Sequence, residues 1–199
     1  MPLFTPELEF SDDYPTIEPS LKLDFANARA LDPRITFTRA SVATYVGKDG
    51  LIKTAGENEP RFDHDSITGE SLGLLIEEER TNLFEYSGDF TNADWAKFDV
   101  SISSNSIIAP DGSTNSYTIT EGTANSQHNI TDTTTVTGTK TFSVYAKLAS
   151  GSRLLRIVDY NATDGAVTAR FDLSNGTIDA GSDSSAVIKD CGNGWYRCS

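Results

Sequence analysis

Two histidines, two cysteines and a run of carboxylates are the residues of this 199-residue chain best suited to chemistry. His64 lies within Asp63-His64-Asp65 and His128 stands apart, and neither accompanies a Gly-x-Ser-x-Gly nucleophile turn. On a strand, alternate residues face opposite sides, so only the two aspartates of the triplet would share a face. With no further ligand placed by spacing, the triplet reads as solvated polar residues beside a turn, and no metal site is expected. Glu77, Glu78 and Glu79 precede Arg80. Paired acids serve glycoside hydrolysis, yet in so acidic a chain their presence identifies no acid–base pair, and a structural role as ion-pair partners of Arg80 and Arg61 is the preferred reading. Phosphate-cradling Gly-x-x-x-x-Gly-Lys loops are missing. No catalytic residue and no cofactor is therefore expected. Cys191 and Cys198 flank a turn and are too few for a disulfide framework or an all-cysteine zinc site. They either meet across a hairpin or stay as packed free thiols in a reducing compartment.

Aromatic side chains offer binding chemistry instead. Sugars present C–H faces that pack on indole and phenol rings, while neighbouring polar side chains satisfy their hydroxyls. Trp95, Tyr145, Tyr160, Trp195 and Tyr196 are the candidate ligand-binding residues. A core position is the competing role for most of them, as for Trp195, which opens a strand. Tyr145 differs: Val144, Ala146 and Leu148 share one face, which leaves Tyr145 with Ser143 and Lys147 on the wetter one.

The formal charge of −13 is uneven, with −11 carried by residues 1 to 100. Such a surface repels phosphate, and with no basic stripe in the sequence nucleic acid is excluded as a partner. No stretch approaches the ~18 apolar residues that span a bilayer, and the N-terminus lacks a basic region followed by an apolar core. A soluble chain without signal peptide or membrane insertion is expected.

The elements that must position these residues read as all-β. Residues 1 to 20 hold four prolines among acids and aromatics, which predicts an extended arm. Leu21, Leu23 and Phe25 alternate with polar residues, as do Ile35 and Phe37. Thr44-Tyr45-Val46 and Leu51-Ile52-Lys53 flank an Asp-Gly turn, a hairpin signal. The block from Leu72 predicts a central strand over 72–77, buried on both faces and ending in the ion-paired corner at Arg80. This gives a β-hairpin module over 21–87. Residues 86–100 read as a connector with short helical turns, in which Phe90, Trp95 and Phe98 are core contacts. Beyond Val100 the chain turns rich in Ser and Thr, which suits strands with one wet face. Strands are predicted at 101–108, 115–120, 127–133, 140–148, 152–160, 167–172, 186–189 and 195–199, separated by Gly, Asn-Gly and Asp-Gly turns. Over 88–199 this predicts an antiparallel β-sandwich of jelly-roll type. It stops inside its last strand, so the sandwich looks incomplete at the C-terminus and that strand is expected to be an open edge that favours homo-oligomers.

Several of these stretches carry a resemblance. Thr36-Phe37-Thr38-Arg39-Ala40-Ser41, Ala43-Thr44-Tyr45, Asp49-Gly50-Leu51-Ile52, Pro60-Arg61-Phe62-Asp63-His64-Asp65 and Gly73-Leu74-Leu75-Ile76-Glu77-Glu78-Glu79-Arg80-Thr81-Asn82-Leu83 follow in order over about residues 34–87. Together they resemble a module of virion proteins of tailed bacteriophages, including head-spike and tail-fibre proteins. Ala109-Pro110-Asp111-Gly112, the stretch Thr141-Phe142-Ser143-Val144-Tyr145-Ala146-Lys147 and Gly194-Trp195-Tyr196-Arg197 are more loosely similar to jelly rolls resembling carbohydrate-binding modules. The resemblance implies a non-enzymatic structural protein of the virion, assembled in the host cytoplasm. It would attach to capsid or tail proteins by its N-terminal region, display a jelly roll to a host-surface glycan, and form a homo-oligomer, most often a trimer. A second reading, from another class, is the non-catalytic carbohydrate-binding portion of a glycan-degrading enzyme whose active domain follows Ser199.

Overall fold

The computed structural model describes residues 23–134, 136–161 and 165–199. The expected arm over 1–20 lies outside them. One helical turn, α1 (Phe25–Ala28), opens the described chain. Asp24 accepts a hydrogen bond from the Asn27 amide at 3.3 Å, and Arg29 closes the turn in the left-handed conformation. This corrects the strand expected around Leu23 and Phe25: an N-capping carboxylate captures a free amide that alternation alone does not reveal.

Everything else regular among the described residues is antiparallel strand. β1 (Ala43–Val46) and β2 (Ile52–Ala55) form the hairpin expected around Asp49-Gly50, closed by Gly47 N to Leu51 O at 2.8 Å. β3 (Phe62–His64) pairs with β4 (Ser71–Leu74), with a register shift between Asp63 and His64. The two pairs are joined by side chains rather than by a ladder. Arg61 Nη1 donates to Thr44 O at 2.9 Å, Val46 N donates to Asp63 Oδ1 at 2.7 Å, and His64 Nδ1 donates to Val46 O at 3.0 Å. The free backbone edge of β1 is thus satisfied by three side chains of one short segment. Asp63 and His64 are therefore not the solvated turn residues expected. His64 is 5% exposed.

The expected central strand over 72–77 is also corrected. β4 ends at Leu74, pairs only with β3, and leaves Leu72 and Ile76 exposed. Among the described residues α1 packs on it, over Gly73, where a φ of +90° admits glycine and little else. A five-residue apolar run looks the same from sequence whether a second sheet covers it or not. Arg80 does not organise the corner. It pairs with Glu78 at 2.8 Å with both side chains 80% exposed, whereas Arg61, 7% exposed, takes Glu77 at 2.6 Å. Glu79 is exposed.

The connector makes the short turns expected, with Asp89 N bonded to Tyr86 O at 3.0 Å and Asn92 N to Asp89 O and Trp95 N to Asn92 O at 3.3 Å, then enters β5 (Ala96–Phe98), where Phe98 is exposed rather than a core contact. β5 pairs with β8 (Asn129–Thr131), and β6 (Val100–Ser104) with β7 (Tyr117–Glu121), as two-stranded ribbons. The remaining strands are β9 (Val144–Lys147), β10 (Leu155–Asn161), β11 (Gly165–Asp172), β12 (Thr177–Ile178), β13 (Ile188–Asp190) and β14 (Trp195–Cys198). They form two three-stranded sheets, in the orders β10-β11-β12 and β13-β14-β9. Phe171 and Ala169 of one sheet meet Cys198 of the other, with Val144, Leu155, Ile157 and Ile188 packed around them. The fold is all-β and antiparallel, as expected, with three strands per sheet against the four of a full jelly roll.

The last strand is not the open edge predicted. β14 is the middle of its sheet, pairing with β13 on one side and β9 on the other. Val187 and Ser199 extend the ladder with bonds of 2.8 and 2.9 Å. β9 reaches it from about fifty residues earlier, a pairing that local alternation cannot announce.

Candidate functional site

β14 and its neighbours set the site through strand parity. Tyr196 and Cys198 point into the core with Val144 and Ile188, so Trp195 and Arg197 must point outward. The register places Lys189 opposite Arg197 and Arg197 opposite Tyr145, with Lys147 opposite Trp195. One outer face therefore gathers two aromatic rings and three cations. Lys147 donates to Asn193 O at 2.6 Å, whereas Lys189 and Arg197 are in no ion pair among the described residues. Burial pushes the Tyr145 hydroxyl above its ordinary range, against the lowering pull of Arg197. The nearby Cys191 thiol is likewise raised, chiefly by burial, while Lys189 and Arg197 pull it down.

This face runs into a cavity of about 280 Å³ where three stretches of chain meet. Leu51, Ser66 and Ile67 come from the hairpin module, Ile108 from the segment after β6, and Cys191 and Trp195 from the sandwich. The junction is hydrogen-bonded: Ser66 Oγ donates to Asp190 O at 3.1 Å, Ile52 N to Pro110 O at 2.9 Å, and Trp195 Nε1 to Ile108 O at 2.9 Å. With the indole N–H already satisfied, Trp195 offers its ring rather than a donor. Its lining sets the apolar surface of Leu51, Ile67 and Ile108 beside polar backbone atoms, Ser66 and the Cys191 thiol.

Of the five aromatics proposed from sequence, Tyr145 and Trp195 are brought together here. Trp95 takes the core role expected of it in the connector and not the ligand-binding one: it is 5% exposed, stacked on Phe84 at 5.4 Å, and bonded through Nε1 to Tyr86 O at 3.0 Å. Its ring is committed to packing. Tyr196 faces the core and lies over Gly176, where a Cβ would come within 2.6 Å of its ring. Tyr160 stands 77% exposed at the far end of β10, on the other sheet. Lys189 and Arg197 were missed, although their parity with Tyr145 and Trp195 was there to be read once the register was known.

A larger groove of about 570 Å³ lies on the hairpin module, between Tyr45, Lys53, Glu59, Phe62 and His64. Its polar groups mostly serve the fold. Lys53 pairs with Asp49 at 2.6 Å, Glu59 accepts the Gly56 amide, and His64 Nδ1 is held by Val46, which leaves His64 Nε2 without a partner. His128 Nδ1 likewise meets Asp99 O at 2.8 Å. Among the described residues, no three His, Cys, Asp or Glu side chains are grouped to hold a metal, and no helix is long and apolar enough to cross a membrane.

Fold and site together define an all-β chain in which a side-chain-braced hairpin module adjoins a sandwich with an aromatic and cationic outer face. Comparison with known proteins gives no matching family model, no matching curated protein and no matching solved structure.

Proposed function

We propose that the chain is a non-enzymatic structural protein of a tailed-phage virion, attached to capsid or tail proteins and displaying its sandwich as a glycan-binding surface. The observation that carries this reading is the role of the residues on which the phage resemblance rests. Arg39 donates through Nε to Ser41 O and through Nη1 to Glu59 O, each at 2.8 Å, and through Nη2 to Gly56 O. Arg61, Asp63 and His64 fasten β1 to β3, and Glu77 neutralises Arg61. The motif residues are thus the bracing of a module with very little apolar core, and a resemblance in them is a resemblance in architecture. Both imidazoles of the chain hold backbone carbonyls, which favours a structural over a catalytic role.

Assembly as a homo-oligomer belongs to the same proposal. Leu72, Ile76 and Leu83 are exposed around one stretch, apolar surface that a neighbouring copy would cover. Immunogold labelling of purified particles tests the function: label on the particle surface is expected, and particles free of the protein contradict it. Light scattering on the 199-residue chain tests the assembly, a defined multimer being expected and a stable monomer at micromolar concentration contradicting it.

A further inference from the structure

Resting on the glycan-binding reading, we infer that the outer face of the β13-β14-β9 sheet takes an acidic polysaccharide, one whose sugar rings carry carboxylates. Adjacent strands lie about 4.8 Å apart, so the register partners Lys189, Arg197 and Tyr145 form a row of roughly 10 Å across the sheet. Trp195 and Lys147 form a second row, two residues along the same strands. A polymer crossing this face meets an aromatic ring and a cation in each row. Rings are suited to the C–H faces of sugars, and the planar fork of Arg197 is suited to a carboxylate, which it can grip with two hydrogen bonds.

The charge distribution adds the argument for an acidic ligand. The chain carries −13 overall, so most of its surface repels a polyanion. Lys189 and Arg197 are exposed and outside any ion pair among the described residues. Asp65 is close enough to feel Lys189, and its Oδ1 already accepts the Ile67 and Thr68 amides. Asp190 alternates with Lys189 along β13, away from this face, and accepts the Gly192 amide. Cations gathered on this face of an acidic protein attract an anionic polymer and help to orient it.

Affinity electrophoresis of the whole chain in gels containing polygalacturonate or neutral dextran tests this. Retardation by polygalacturonate and not by dextran is expected. The apparent affinity should fall at least about tenfold between low and 0.5 M salt, where the screening length drops to a few ångströms. The K189A/R197A double variant, both positions being exposed, should lose about tenfold at low salt, with an unchanged melting curve. Equal retardation by dextran, insensitive to salt, would overturn the acidic class and leave the glycan reading standing. Retardation by neither polymer would overturn the inference at this face, and the particle-labelling experiment would still judge the virion assignment separately.

Discussion

The hairpin module and the sandwich are stabilised by different physics. In the sandwich, Phe171 and Cys198 are fully enclosed and the two sheets close on an apolar core. In the module the only fully buried apolar side chain among the described residues is that of Ala55, and order comes from polar side chains holding specific backbone atoms. Dispersion and burial are non-directional and tolerate repacking. Directed hydrogen bonds in a small, poorly covered module do not, because each missing partner strands a polar group. A module of this kind must keep particular residues, while a sandwich need keep only a pattern.

Substitutions that remove one kind of support at a time break or sharpen this contrast. Phe171→Ala should have the largest effect, a loss of about 3–5 kcal/mol from the transfer and cavity terms together, read by urea unfolding. Arg61→Ala comes next. It unmakes a charged hydrogen bond to Thr44 O, worth about 1.5–3 kcal/mol, and a pair with the half-exposed Glu77 that adds less than about 1 kcal/mol, and hydrogen exchange should quicken in β1 and β3 before the sandwich amides respond. If both substitutions open the whole chain in one transition with equal exchange everywhere, the two regions are not separately supported. Arg80→Ala should cost less than about 1 kcal/mol, because its pair with Glu78 is fully in solvent.

Two pH limbs follow from groups in both regions. Burial pushes the Cys198 thiol up to about 11 from 9.0. Between those values the unfolded chain gives up this proton and the folded chain keeps it, so stability is complete below about pH 9 and falls as pH rises toward 11. Cys198→Ala should flatten that alkaline limb in melting curves taken at successive pH values. Asp65, Asp89, Asp111, Asp172 and Asp183 are all held below the ordinary carboxylate range, chiefly by backbone or side-chain hydrogen bonds from a Ser or Thr two or three residues on. Their contribution is present above about pH 4 and is lost as pH falls through the lowered values. The acidity of the chain is thus partly turn chemistry.

The same contrast explains what was legible in the sequence. The Asp49-Gly50 hairpin and most strands after Val100 were readable because turn residues and alternation are local signals. The placing of β14 between β13 and β9 was not, since Tyr145 meets Arg197 across more than fifty positions. Neither was the division of labour between the two arginines: Arg80 adjoins the three glutamates and Arg61 stands sixteen positions before them, and only the fold decides that Arg61 is buried under β1 and Arg80 left in water. Trp95 and Trp195 were indistinguishable as ring types, and packing on Phe84 removed the first from the site.

The most direct test of where ligand meets the protein is backbone-amide NMR of the whole chain during titration with trigalacturonate. Shifts concentrated at Tyr145–Lys147, Lys189 and Trp195–Arg197, together with Ile108, are predicted. Shifts confined to the hairpin groove at Tyr45, Lys53 and His64, or no shifts at all, would contradict the assignment of binding to the sandwich face.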